Sequence, residues 1–267
     1  SDSKLGLNRS DRNARAHMLF AVTQWTRVWI KRYEVGGYAR AARHASDIFL
    51  HGLGGQSAKW APPVLPDLTT AVSGEDVSPD AFLRVATRLI NEQGFRGASV
   101  ERISAALKVT KGSFYHHNDN KDDLIVACFS RSFDVIRRAQ SAAEHCGSGW
   151  QKLSAAAAAL VKYQLSGDGP LLRITARSGL PEATAEQTIQ TLNRLSEHFA
   201  SVVVDGMVDG SVRMVDPAIA AQMISGMINA SASIKRWAPE ATIGNVTDLY
   251  ARPLFMGVLC PAAPRRA

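Results

Sequence analysis

Apolar residues recur every three or four positions through almost the whole chain, and this periodicity restricts the fold more than any other feature. From about Arg12 to Tyr33 there is no glycine or proline, and Met18, Val22, Trp25 and Trp29 fall at steps of four, three and four. That spacing aligns them on one face of an α-helix. Gly36 and Gly37 stop it, a second helix is expected from about Tyr38 to His51, and Gly52, Gly54 and Gly55 stop the second. Ser78-Pro79 reads as an N-cap with proline at the first helical position, and Phe82, Val85, Ala86, Leu89 and Ile90 carry the stripe to Gly94. Short helices are expected at Val100–Leu107, capped by Ser99, and at Thr110–His117, followed by a longer one capped by Asn120. Others fit Trp150–Leu165, Leu171–Ser178, Pro181–Asp205, Pro217–Trp237 and Ile243–Leu259. Strand-like alternation is confined to Ser211–Val215, so the fold class is all-α.

One stretch breaks the pattern. Between Gly54 and Pro79 lie Pro62, Pro63 and Pro66 with little periodicity, which predicts a linker over residues 56–78. Fully extended, the stretch from Gly54 to Pro79 reaches on the order of 80–90 Å at about 3.3 Å per residue. The expected organisation is a helical segment over residues 1–55, the linker, a unit of short helices over 79–125 and a longer helical domain over 126–267.

Composition narrows the function classes. The chain has 267 residues with 46% hydrophobic and 21% charged residues, which excludes wholesale disorder. Its longest unbroken apolar run, residues 155–161, falls far short of the roughly 20 residues of a membrane span. No secretory leader pattern opens the chain, and Cys128, Cys146 and Cys260 are too few and too scattered for a disulfide framework. A cytoplasmic protein without membrane contact is expected. The net charge of +7 permits a polyanionic partner without requiring one, and its distribution is uneven. Residues 1–60 carry +6, residues 61–78 carry −3, residues 79–140 carry +3 and residues 141–267 carry +1.

The stretch Gly94–Leu124 carries the chemistry. Phe95, Val100, Ile103, Leu107, Val109, Phe114 and Leu124 can face one small core shared by three short helices, two of them too short to be stable alone. Thr110, Lys111, Gly112 and Ser113 open the last of the three with small or cationic residues, so its free amides and positive dipole end can approach a phosphate. Tyr115, His116, His117 and Lys121 add hydroxyl, imidazole and ammonium donors on the outer face. Such a helix suits the major groove of DNA.

On these residues the chain resembles the TetR family of transcriptional regulators. The pattern is Ala86-x-x-Leu89-Ile90, Gly94-Phe95, Ala98-Ser99-Val100, Ile103-Ser104, Val109 to Tyr115, then His117 and Lys121-Asp122-Asp123-Leu124. Later, Gly206 to Gly210, Arg213, Asp216-Pro217 and Trp237 look like the end of a TetR regulatory domain, so the resemblance spans about residues 79–260. It implies that Lys111, Gly112, Ser113, Tyr115 and His116 face the groove, beside Thr110 at the helix start. It places Ser99, His117 and Lys121 on phosphates, and Phe114 in the core. Asn118 stands where the family usually has Phe, and Ser104 where it usually has Ala. The implied partners are double-stranded DNA with a pseudo-palindromic operator and a small-molecule effector whose ligand residues the sequence does not identify. The implied function is a ligand-responsive repressor. The alternative is an all-α ligand-binding or scaffold protein that has lost sequence-specific DNA binding, with Asn118 as the residue that raises it.

Other readings carry less. His116 and His117 are adjacent and point to different helix faces, so no metal site is expected. Cys128 and Cys146 read as buried small apolar residues, and the Trp25/Trp29 stripe as core or interface rather than a ligand cage. Neither a nucleophile elbow, an HExxH motif nor a strand-borne phosphate loop is present, so no enzyme activity and no cofactor are expected.

The resemblance implies a dimer interface from the last two helices, and the sequence supports it. Ile219, Met223, Ile224, Met227, Ile228 and Ile234 form one wide apolar face, and Leu249, Leu254, Phe255, Val258 and Leu259 another. Gly226 and Gly257 permit close approach, so two such helices and their mates would make a four-helix bundle. The N-terminal segment repeats this part. Ile30-Lys31-Arg32-Tyr33 matches Ile234-Lys235-Arg236-Trp237, and Phe49-Leu50-His51-Gly52 matches Leu254-Phe255-Met256-Gly257. Residues 12–55 are therefore expected to be the last two helices of another TetR-like domain, the chain being the tail of one unit joined to a second. Two assemblies follow: a homodimer, or a pseudo-dimer made in cis through residues 12–55.

Overall fold

The computed structural model describes residues 5–68, 79–107 and 120–263. Among these residues the fold is all-α, with one isolated antiparallel bridge between Gly54 and Val212. Nine α-helices are described: α1 (Arg9–Trp29), α2 (Tyr38–His51), α3 (Pro79–Gly97), α4 (Val100–Leu107), α5 (Lys121–Ala143), α6 (Gly149–Leu165), α7 (Glu182–Val208), α8 (Pro217–Ser231) and α9 (Arg252–Met256). No described helix is long and apolar enough to cross a membrane.

Helix ends follow local chemistry. Asn8 caps α1 in a reciprocal box with Asp11, its side chain accepting from the Asp11 amide at 2.8 Å. The Asn120 side chain accepts from the amides of Asp122 and Asp123 at the start of α5, and Ser148 forms a second box with Gln151 on α6. Asp216 caps α8 with Pro217 at its first position. Inside α3, Gly94 takes φ +73° and ψ 174°, a conformation open to glycine, so the regular helix bends there as the sequence predicts.

Two expected helices come out differently. Over residues 171–178 the backbone is claimed by side chains instead of an α-helical ladder: the amides of Leu171, Leu172 and Arg173 donate to Gln164, Ser132 and Asn91. Only a 3₁₀ turn, Ile174–Gly179, follows. The last expected helix starts late, as a π-turn over Thr247–Ala251 that runs into the short α9. Pro253 has no amide to donate, which removes one rung at that junction. The strand-like residues near Val212 lie beside the chain after α2, with the Gly55 amide on Ser211 O at 2.9 Å and the Arg213 amide on Leu53 O at 3.0 Å. Residues 56–68 have no regular secondary structure but are docked, Leu68 being buried and Trp60 packing on Trp150 and Phe255. The Trp60 indole N–H donates to Asp248 at 2.9 Å.

The regulatory body is built from α5 to α8, with α5 against α6 and α7, and α8 against α6 and α7. The N-terminal pair closes one side of it: α1 lies on α8 and on the π-turn, and α2 on α8 and α9. The two sequence copies adopt the same local form. Each Ile-Lys-Arg triplet is a 3₁₀ turn after a long helix, closed by the amide of Tyr33 on Ile30 O at 3.0 Å and of Trp237 on Ile234 O at 2.9 Å. Each copy ends at a left-handed glycine, Gly52 at φ +73° and Gly257 at φ +88°. These two glycines abut: a β-carbon on Gly52 would meet the backbone of Phe255 and Gly257, and one on Gly257 the backbone of Leu50 and His51. The Leu53 amide donates to Phe255 O and the Val258 amide to Phe49 O, a near-reciprocal exchange between the copies. Gly226 on α8 leaves space for Trp25, whose indole N–H donates to Gln222 at 3.1 Å. Arg15 of α1, buried, donates to Cys260 O and Val258 O, and Arg213 bonds Asp47 and Gly52 O of the N-terminal pair.

His17 of α1 sits in this seam between Trp237 and Tyr250, at ring-centroid distances of 5.3 and 5.4 Å. Burial, with Arg173 adding to it, pushes its pKa down to about 4 from 6.5. The unfolded chain therefore binds more protons between these values, so stability is full above pH 6.5 and falls as pH drops toward 4. Chemical denaturation across this range is expected to show a loss of about 1–3 kcal/mol in the parent that is largely absent in His17→Gln.

Candidate nucleic-acid interface and regulatory cavity

Of the predicted DNA-facing residues, Ser99 and Lys121 are described. Thr110, Lys111, Gly112, Ser113, Tyr115, His116 and His117 lie outside the described residues, as does Asn118. Ser99 precedes α4, where its hydroxyl accepts from the Arg102 amide at 3.3 Å. A hydroxyl that accepts as a cap keeps its own proton to donate, so capping is compatible with a phosphate contact. Lys121 is the first residue of α5, and burial lowers its pKa. Ile103 and Leu124 are buried, as the small-core reading requires.

Sequence reasoning missed how this unit is tied to the body. Arg131 of α5, nearly buried, pairs with Asp80 of α3 at 2.8 Å and donates to the Tyr163 hydroxyl at 2.8 Å and to Asp168 O at 3.1 Å. Arg84 of α3 pairs with Asp168. Arg88 donates to Gly167 O and Gly169 O, while Asn91 takes both the carbonyl of Leu171 and the amide of Arg173, at 2.8 and 2.9 Å. One face of α3 is thus held along its length by the loop that follows α6. The signal was present in the sequence as a charged residue at helical spacing from Leu124, Cys128 and Val135, apolar residues on the buried side of α5. Periodicity counts apolar positions and passes over such an exception.

The same loop borders a cavity inside the regulatory body. A cavity of about 40 Å³ lies between Phe129, Phe133, Leu172, Leu195, Phe199 and Ile228. Its polar neighbours bond to the protein: Gln164 to Ile228 O and the Leu171 amide, Ser132 to Cys128 O and the Leu172 amide, Ser225 to Ser196, and Asn229 Oδ1 to the Ile174 amide. The remaining wall is therefore apolar in what it offers a ligand. Trp25 of α1 forms part of this wall as well as part of the α8 contact, so it serves both as interface, the expected role, and as cavity lining. Cys128 behind the cavity is fully buried, its thiol pushed up to about 12, and is a packing residue as expected. Cys146 is only half-buried.

Comparison with known proteins gives this architecture its place. Residues 82–128 match the family described as bacterial regulatory proteins, tetR family, and residues 146–237 match the tetracyclin repressor-like C-terminal domain. The Escherichia coli transposon Tn10 TetC protein is 33% identical over 73 residues, 27% of this chain and 37% of that protein. The HTH-type transcriptional repressor DhaR of Mycobacterium sp. (strain GP1) is 26% identical over 131 residues, 48% of this chain and 66% of that protein. The matched region thus spans about a third of one of these relatives and two thirds of the other. Among solved structures, apo AibR superposes with a TM-score of 0.56 at 24% identity over 67% of this chain and 98% of its own. FadR of Bacillus subtilis, solved with stearoyl-CoA, gives 0.53 at 16% over 66% and 97%. Two successive matches, one to each half of the family's architecture, and the shared fold place the chain in the TetR family of bacterial regulatory proteins.

Proposed function

We propose that this chain is a DNA-binding transcriptional regulator, a repressor released from its operator by a small molecule held in the apolar cavity. The observation that carries this reading is the loop of residues 166–174. It grips α3 through Arg84, Arg88 and Asn91, and its Leu171, Leu172 and Ile174 line the cavity. A ligand that pushes on Leu172 or Ile174 therefore pushes on the helix that carries the DNA-reading unit. Coupling requires differential contact with two states, and this loop touches both sites. The likeness to DhaR, named a repressor, supports the direction of regulation, and AibR has been solved with isovaleryl coenzyme A and operator DNA.

On DNA, Lys111, Gly112, Ser113, Tyr115 and His116 read the groove with Thr110 at the helix start, and Ser99, His117 and Lys121 hold phosphates. Tyr115→Phe and Lys121→Ala are expected to weaken binding to every sequence and to flatten the salt dependence by about one counterion for the lysine. Lys111→Ala and His116→Ala are expected to change sequence preference in addition. Gel shifts on the DNA flanking the chain's own coding region measure this, and binding indifferent to all four substitutions sinks the assignment.

For assembly, the cis arrangement fits better than a homodimer through α8 and α9. Residues 9–52 already cover the apolar face of these helices, leaving Ile219, Met223, Ile224 and Phe255 buried within one chain. A single polypeptide then presents one DNA-reading unit and a completed bundle.

A further inference from the structure

The apolar cavity opens beside a groove lined by basic side chains. The groove runs between α1 and the 3₁₀ turn Ile174–Gly179, and Trp25, Ile174 and Asn229 line both it and the cavity. Its walls hold Arg27 from α1, Lys31 from the 3₁₀ turn that follows it, and Arg173 and Arg177 from the loop side, with no carboxylate. Arg173 is half-buried and makes no ion pair among the described residues. Burial, then the nearby charge of Arg236, lowers its pKa below the ordinary guanidinium range, so like charge and desolvation both act against it. His17, also in the groove wall, is neutral at pH 7 and offers no compensating charge. A half-buried guanidinium without an ion pair, beside three further cations, is relieved by an anion, and guanidinium groups suit phosphate and carboxylate oxygens.

We infer that the effector is an amphipathic anion: its apolar chain enters the cavity past Trp25 and Ile174, and its phosphate or carboxylate head lies in the groove on Arg173, Arg177 and Lys31. The inference rests on the reading of the chain as a ligand-responsive regulator and adds the class of ligand. It also gives α1 a second role. Residues 9–32 lie outside both matched family regions, yet they supply Trp25 to the cavity wall and Arg27 and Lys31 to the groove. An effector bound there touches α1, α8 and the 166–174 loop together.

The test is calorimetric titration of the full chain, without DNA, with octanoyl coenzyme A, octanoate, free coenzyme A and 1-octanol. At least one octanoyl anion is expected to bind about tenfold or more tightly than octanol, and to weaken as salt rises, because two or more cations act on its head. Arg173→Gln, and separately the exposed Lys31→Gln, should each weaken that anion about three- to tenfold and leave octanol unchanged. The lysine variant keeps the test decisive if Arg173→Gln does not fold. A thioester bound more tightly than octanoate assigns a phosphate-bearing carrier, and equal or tighter binding of octanoate assigns the free acid. The inference is overturned if octanol binds as well as both anions, if coenzyme A alone binds as well as its octanoyl ester, if the variants bind the anion unchanged, or if no probe binds. A separate gel shift keeps the two readings apart. Ligand bound without any DNA affinity refutes the regulator reading, and DNA bound with no preference for anionic amphiphiles refutes this one.

Discussion

Gly52→Val is expected to detach the N-terminal helix pair and convert a monomer into a self-associating protein. Gly52 takes φ +73° and ψ −163°, a region closed to residues with a β-carbon, at a cost of about 1–3 kcal/mol. The added side chain also runs into the backbone of residues 255–257, which is a fixed obstacle and not a flexible side-chain tip. Together these are expected to remove about 3 kcal/mol or more from the docking of α2. Once α2 and then α1 leave, the apolar face of α8 and α9 is exposed, and a second copy of the chain is the partner of matching shape. Light scattering over a hundredfold concentration range should show the monomer mass for the parent and concentration-dependent association for the variant. A parent that is already a stable dimer through α8, demonstrated by crosslinking, contradicts the cis arrangement. So does a variant that melts and scatters like the parent.

Replacing Asp80 by Asn is expected to produce the second large effect. Arg131 is almost wholly buried, and Asp80 is its carboxylate partner among the described residues, one of its terminal nitrogens having no hydrogen-bond partner there. Removing the negative charge leaves a desolvated guanidinium held by the Tyr163 hydroxyl and one carbonyl, which costs about 3 kcal/mol. Asp80 also sits near Arg84 at 3.6 Å, so the change loosens the junction between α3 and the loop after α6. Thermal unfolding should shift downward, and effector-dependent release from DNA should weaken more than DNA binding itself. Arg131→Met in the Asp80→Asn background should restore much of the stability, because a pair replaced by neutral groups leaves no orphan charge. Unchanged unfolding in Asp80→Asn contradicts the role given to this pair.

Much of this fold is legible in the sequence where local rules act alone. The bounds of α2 and α4 emerge as read, because glycine stops and a serine cap act within a few residues of the helix they end. Asn120, Ser99 and Pro217 mark their helices for the same reason. The repeat of Ile-Lys-Arg and of the glycine-terminated helix is visible as letters, and both copies take the same backbone form. Over residues 171–178 local reading fails, since side chains from α3, α5 and α6 capture the backbone amides that a helix would have used. A helical stripe of residues cannot report a competing donor or acceptor that arrives from a distant segment.

The candidate sites divide in the same way. The proposed DNA-facing residues are read from a pattern with fixed spacing in one continuous stretch, so proposing them needs no tertiary information. The cavity, the anion groove and the Arg131 network are each assembled from helices far apart in the chain. Trp25 shows the limit most plainly: its spacing marks it as buried, but burial against α8 and burial beside a ligand space look identical along one helix.

What the sequence determined by itself is the all-α class, the helix-turn-helix and the presence of a repeated helix pair, because each depends on contacts within one element or between near neighbours. Tertiary structure alone decided where that pair docks, which face it covers and which four cations meet in one groove. Those outcomes depend on long-range packing, in which the approach of Gly52 to Gly257 and of Trp25 to Gly226 selects one arrangement from many that the same periodicity allows.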